Sequence, residues 1–180
     1  MQQEDLRPWA EQVKAYHMPR YDELPAIDLY MDQVTTFMDE HLQKSKRYEQ
    51  DKVLTKTMIN NYVKLKVLPP PVKKRYTRDH LCQLILICLL KQVLSLPEIQ
   101  RLIAAQLETR DVRAMYDGFF AMQERAVISA LERATAQAGG DRSDMALRVA
   151  AEANVGKMIA EKIMDVHFPA PSREKKREKE

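Results

Sequence analysis

Lys56, Thr57, Asn60, Asn61 and Lys64 lie close together in the segment LTKTMINNYVKLKVL, residues 54–68. At about 100° per residue, with Lys56 as zero, these five side chains fall between roughly 0° and 140°. Leu65, Met58, Tyr62, Ile59 and Val63 fall between roughly 180° and 340°. A short helix with Thr55 as its N-cap would thus divide into an apolar half and a half of Lys, Asn and Thr alone. Those polar types suit a nucleic-acid groove: Lys pairs with phosphate or guanine, and Asn can hold adenine through two hydrogen bonds. Beyond Pro69, Pro70 and Pro71 comes a basic strip, Val72-Lys73-Lys74-Arg75-Tyr76, placed to meet backbone phosphates beside that helix. The same pattern also describes an ordinary helical bundle with one polar surface helix.

The chain has 180 residues with a formal net charge of +3, unevenly spread. Residues 52–80 carry eight basic side chains against one acid, Asp79, while residues 1–51 carry six against eleven. A field concentrated in this way attracts a polyanion locally. Other chemistry lacks a pattern. His17, His41, His80 and His167 lack ligand spacing and read as surface or boundary residues. Cys82 and Cys88 lie roughly 240° apart on one helix, which forbids a disulfide within it, and buried, inert thiols are expected. Four glycines in the whole chain leave little scope for a phosphate loop. Neither an enzyme nor a cofactor is expected.

The elements that must position these residues read as mostly helical. Residues 1–24 look irregular, interrupted by Pro8, Pro19 and Pro25 around Trp9, Tyr16 and Tyr21. Asp28 is placed to cap a helix carrying Ile27, Tyr30, Met31, Val34, Phe37, Met38 and Leu42. The short polar helix ends by Leu68, before the prolines. The basic strip is at most one arm of a small hairpin. Thr77 caps a helix through Leu84–Leu90 with almost no polar face, which must be central. Ser95-Leu96-Pro97-Glu98 is a capping box for a helix through Leu107. Helical spacing continues over 109–138, with Gly118 a point of kink or break, as far as Gly139-Gly140. Asp141, Ser143 and Asp144 start a last helix, with Ala146, Val149, Ala150, Ala153, Ile159, Ile163 and Phe168 as its apolar positions. Residues 169–180 form a charged tail. No run approaches the roughly 18–20 apolar residues of a membrane span, and Glu4, Asp5, Arg7 and Pro8 do not fit a signal peptide. The expected address is the cytoplasm.

Residues 54–103 resemble the winged-helix domain of the MerR regulators. In that family an aromatic-bearing helix runs into a "gLL-P" turn, then a basic wing ending "R-Y-T", then a helix and an "fSL-EI--L" segment. Here those pieces are Tyr62, Val67-Leu68-Pro69, Arg75-Tyr76-Thr77 and Leu94-Ser95-Leu96 with Glu98-Ile99. With the opening IDLYMDQV, the segment looks still more like a bacterial family of uncharacterised proteins assigned a MerR-like DNA-binding fold. The resemblance covers about 80 of the 180 residues. It implies an all-α fold: a MerR-like winged helix-turn-helix over 25–108, with at most a minimal β wing, followed by a C-terminal helical dimerisation or sensor region over 109–168. It also implies a homodimer joined through that later region.

The expected function is a transcriptional regulator that binds double-stranded DNA. Thr55 starts the recognition helix. Thr57, Asn60, Asn61 and Lys64 read bases or sit on phosphates, Lys56 holds the backbone, and Lys73, Lys74, Arg75 and Tyr76 form the wing. A small-molecule effector, of unknown identity, would bind among residues 109–168. The alternative is a helical protein-interaction module on the same scaffold without DNA binding. The Met-rich second half motivates it.

Overall fold

A helix that is apolar on nearly every side has to lie inside. In the computed structural model His80 through Cys88 are all buried, and the helix Arg78–Leu90 that carries them runs through the centre of the molecule. The structure describes residues 6–15, 18–43, 46, 48, 50–135 and 141–170. In chain order the elements are α1 (Leu6–Ala15), a 3-10 turn (Tyr21–Glu23), β1 (Leu29–Tyr30), α2 (Met31–His41), α3 (Lys56–Lys64), β2 (Arg75–Tyr76), α4 (Arg78–Leu90), α5 (Leu96–Leu107), α6 (Val112–Thr135) and α7 (Arg142–His167). The described part is mostly helical, with seven helices and one minimal antiparallel sheet, and its C-terminal region is helical. No described helix is long and apolar enough to cross a membrane.

Local rules account for several boundaries. Thr55 caps α3, its hydroxyl accepting from the Met58 amide at 3.2 Å. The amide of Ser95 donates to Glu98 Oε2 at 2.7 Å, closing the expected capping box on α5. The Ser95 hydroxyl, which also donates to Glu98 Oε2, and then the Ser95 amide hold the Glu98 carboxyl below its ordinary value. Thr77 precedes α4 as its cap residue, and its amide donates to His80 Nδ1 at 3.1 Å. Asp141 caps α7 by accepting from the Ser143 amide at 3.0 Å.

Other expectations give way to long-range packing. Residues 1–24 are not irregular throughout: α1 forms and lies against α6, with Ala10 buried. Pro8 is tolerated because it sits in the first turn, where amides are free anyway. Trp9 is exposed. Asp28 is no cap. Leu29 and Tyr30 are drawn into a strand opposite Tyr76 and Arg75, so the helix starts later, at Met31, and the Tyr30 amide donates to Gln33 Oε1 at 2.9 Å. Ile27 and Tyr30 accordingly lie outside the helical stripe and are exposed. Gly118 does not break α6, which runs through it. The docked residues are Ala160 and Met164 of α7 and Phe168 just beyond it, whereas Ile159 and Ile163 lie on another side of the helix and are exposed, as is Val149 nearer its start. The helix has two apolar sides, and the body takes the other one. Gly139-Gly140, Tyr16, His17 and the tail beyond Ala170 lie outside the described residues.

Residues 18–24 are latched onto α4 and α6. The Tyr116 hydroxyl donates to the Pro19 carbonyl at 2.8 Å, and Arg20 makes a two-pronged contact with Glu124 at 2.8 and 2.7 Å. The Tyr21 hydroxyl donates to Asp79 Oδ1 at 2.8 Å. This hydrogen bond, helped by burial, pushes the Tyr21 phenol up to about 12.

Candidate nucleic-acid interface

The polar face of α3 is built by what its apolar face must do. Ile59 and Tyr62 are buried in the core, and Met58 and Val63 pack against it. Burial pushes the Tyr62 phenol up to about 12. With that side anchored, Lys56, Thr57, Asn60, Asn61 and Lys64 are all left exposed. Thr57, Asn60, Asn61 and Lys64 make no side-chain hydrogen bond or ion pair with any described residue. Lys56 instead forms an ion pair with Asp32 of α2. Both partners are exposed, so the pair is worth little and can exchange for a stronger anion. Thr55 is half-buried and spends its hydroxyl on the helix cap.

The turn that ends α3 is decided by a lysine rather than by the prolines. The helix stops at Lys64, and Lys66 takes φ 57°. The Val67 amide then donates to the Tyr62 carbonyl at 2.9 Å and the Lys66 amide to Val63 at 3.0 Å. This is the paired ending in which glycine is the usual left-handed residue. Gln100 of α5 donates to the Lys66 carbonyl at 3.1 Å.

The basic strip forms a two-residue hairpin. Val72 and Arg75 exchange both backbone hydrogen bonds, at 3.0 and 2.9 Å. Lys73 and Lys74 occupy the tip with φ of 49° and 64°, the twist that suits such hairpins and normally calls for Asn-Gly. Lys66, Lys73 and Lys74 are the three non-glycine residues with positive φ among the described residues, and no described glycine adopts it. Left-handed backbone costs a residue with a β-carbon roughly 1–2 kcal/mol. The chain thus keeps an ammonium group at three places where glycine would be easier.

Arg75 is exposed, but its guanidinium lies 4.9 Å from the Tyr30 ring centre and donates to the Tyr30 hydroxyl at 2.9 Å. Tyr76, expected on the wing surface, is a core residue, 2% exposed. Side chains alternate along a strand, so the outward Arg75 turns Tyr76 inward. There its ring meets His80 edge-on at 5.5 Å, and burial raises its phenol. His80 is buried too, against the boundary position expected of it. Its Nδ1 accepts from Thr77, and its Nε2 donates to the Pro70 carbonyl at 3.3 Å. The root of the hairpin is thereby tied to α4. One helix supports the whole surface: α2 packs on β1, on α3 and on β2.

Sequence reasoning misses Lys66, because its left-handed backbone appears only once α3 ends early. It also misses exposed Tyr30, which periodicity places on a helix. Cys82 and Cys88 are free and buried, as expected. Burial pushes the Cys88 thiol up to about 11 and raises Cys82 further. Among the described residues, no group of three or more His, Cys, Asp or Glu is placed to hold a metal ion.

The chain belongs to the family described as Domain of unknown function (DUF1836), which matches residues 19–119. The match starts within the segment latched onto α4 and α6 and ends in the first part of α6, so it takes in the Pro19–Tyr116 and Tyr21–Asp79 contacts of that latch but not Glu124, the partner of Arg20. No curated protein and no solved structure matches the chain.

Proposed function

We propose that the protein is a DNA-binding transcriptional regulator with a MerR-like winged helix-turn-helix. It reads duplex DNA with α3 and holds phosphates with the Lys73-Lys74 hairpin. The observation that carries this reading is the exposed Lys/Asn/Thr face of α3, of which Thr57, Asn60, Asn61 and Lys64 are unpartnered among the described residues, accompanied by three lysines kept in left-handed backbone. The order β1, α2, α3, hairpin, α4, with β2 paired to β1, supports the winged-helix interpretation. In this reading Asn60 and Asn61 contact base edges, and Lys56, Lys64, Lys66, Lys73 and Lys74 contact phosphates. Thr55 acts through the cap and Tyr76 through the core. Arg75, exposed and spending one of its donors on Tyr30, has others for a phosphate.

The working unit in this reading is a homodimer. Leu147, Val155, Met158, Ile159, Ile163 and Val166 are exposed, on the side of α7 away from Met164. A second copy covers them.

The test is a titration of duplex DNA at two salt concentrations, with the wild type and with Lys73, Lys74 and Arg75 changed to Ala. Each phosphate contact should contribute about −0.9 to the slope of log K against log salt, and the variant should be shallower. Equal, salt-insensitive binding by both proteins rejects the wing assignment. A stable protein partner with no DNA affinity favours an interaction module instead.

A further inference from the structure

A groove of about 550 Å³ lies between the end of α3 and α5. Val63, Val67, Leu68 and Pro69 form one wall, and Ile103 and Leu107 the other. Gln83 of α4 also lines it, although only 4% exposed. The Gln83 carboxamide makes no hydrogen bond to any described residue. No fully sealed side-chain polar atom goes unpartnered among the described residues, so this amide keeps its remaining exposure toward the groove. Its amide atoms are thus left to solvent rather than to protein partners, at the edge of a cavity in the size range of small-molecule sites, about 300–1,000 Å³. The walls are helices and a proline run, which hold the shape before anything binds. Gln100 at the rim is pinned by its bond to the Lys66 carbonyl.

We propose that this groove binds a small uncharged molecule, apolar over most of its surface and carrying a lactam-type edge. A carboxamide presents a donor and an acceptor side by side. An adjacent N–H and C=O on the ligand satisfies both at once, whereas a ketone or an ether satisfies one. Lys66 is the single charged lining residue and belongs to the turn at the rim. A cationic head against Gln83 is therefore desolvated without a counter-charge, and an anionic one would be drawn out to Lys66 at the rim instead of to Gln83. The site lies outside residues 109–168 and stands independently of DNA binding.

The test uses oxindole, an apolar lactam, and N-methyloxindole, which lacks the donor, added to the isotope-labelled full chain and followed by NMR. Oxindole should give saturable shifts at Val63–Leu68, Ile103–Leu107 and the Gln83 side-chain amide, and N-methyloxindole should bind about tenfold more weakly. Gln83→Met keeps the shape and removes the amide, and should bring the two probes to similar affinity. Ala104→Trp, at an exposed position on the groove wall, should block both. Equal affinity of the two probes for the wild type, survival of the preference in Gln83→Met, or the absence of saturable shifts at those residues overturns the proposal. If Gln83→Met does not fold, the wild-type comparison and Ala104→Trp decide it.

Discussion

Lys73 and Lys74 place stability and binding in opposition. Each holds a left-handed backbone that glycine adopts freely. Lys73→Asn with Lys74→Gly matches the hairpin's preferred tip and should raise unfolding stability by about 1–2 kcal/mol, read as a higher denaturation midpoint. The same change should weaken DNA binding and flatten its salt slope by about 0.9 for each phosphate that is no longer neutralised. Asn60→Ala with Asn61→Ala should leave stability within about 0.5 kcal/mol, because both side chains are exposed and unpartnered. It should cost about 1–3 kcal/mol of discrimination between a preferred duplex and a scrambled one, measured by competition. The exposed face of α3 was legible in the sequence because helical periodicity fixes which residues share a side. Tyr76 was not, because five residues of basic strip carry no sign of which side of the strand turns inward. That is set by pairing with Leu29 and Tyr30, more than forty positions away.

At the scale of elements, α3 is positioned by its cap and by two buried side chains. Thr55→Ala should cost about 1 kcal/mol by removing the hydrogen bond to the Met58 amide, and Ile59→Ala about 2–5 kcal/mol through the cavity left in the core. Both are measured by denaturant unfolding. Burial and hydrogen bonding also set a pH limit. Tyr21 and Tyr62 are raised from 10.0 to about 12, and Cys88 from 9.0 to about 11. A raised value means that the folded state favours the protonated form. Their contribution is complete below the unfolded-state values and is lost as pH climbs through the folded-state values. Stability should hold up to about pH 9 and fall steadily toward about pH 12, and Tyr21→Phe should remove part of that fall. Capped helices such as α5 could be read from the sequence because a capping box is local. β1 and α1 could not. Two-residue strands exist only through their partners, and α1 rests on α6, a hundred residues further on.

The whole molecule is organised around α4, with the α2-supported surface and the groove against α5 among its outlying features. The C-terminal half of α7 folds back onto its own chain. Arg101 donates to the Phe168 carbonyl at 2.7 Å, and Lys157 to the Val93 carbonyl at 3.1 Å. On its opposite side Val155, Met158, Ile159, Ile163 and Val166 stay exposed among polar neighbours, which underlies the dimer in the proposed function. Ile159→Glu with Ile163→Glu should convert a dimer to a monomer in sedimentation experiments with little loss of fold, since both residues face outward. A wild type that sediments as a monomer at high concentration would remove the dimer from the account. The central claim, that α3 reads duplex sequence, is tested most directly by selecting bound duplexes from a random pool with the wild type and with the Asn60→Ala, Asn61→Ala variant. The account predicts one enriched motif for the wild type, arranged as two related half-sites, and its loss in the variant, which still retains salt-sensitive, unselective binding. Failure of the wild type to enrich any duplex, or an unchanged motif in the variant, would contradict it.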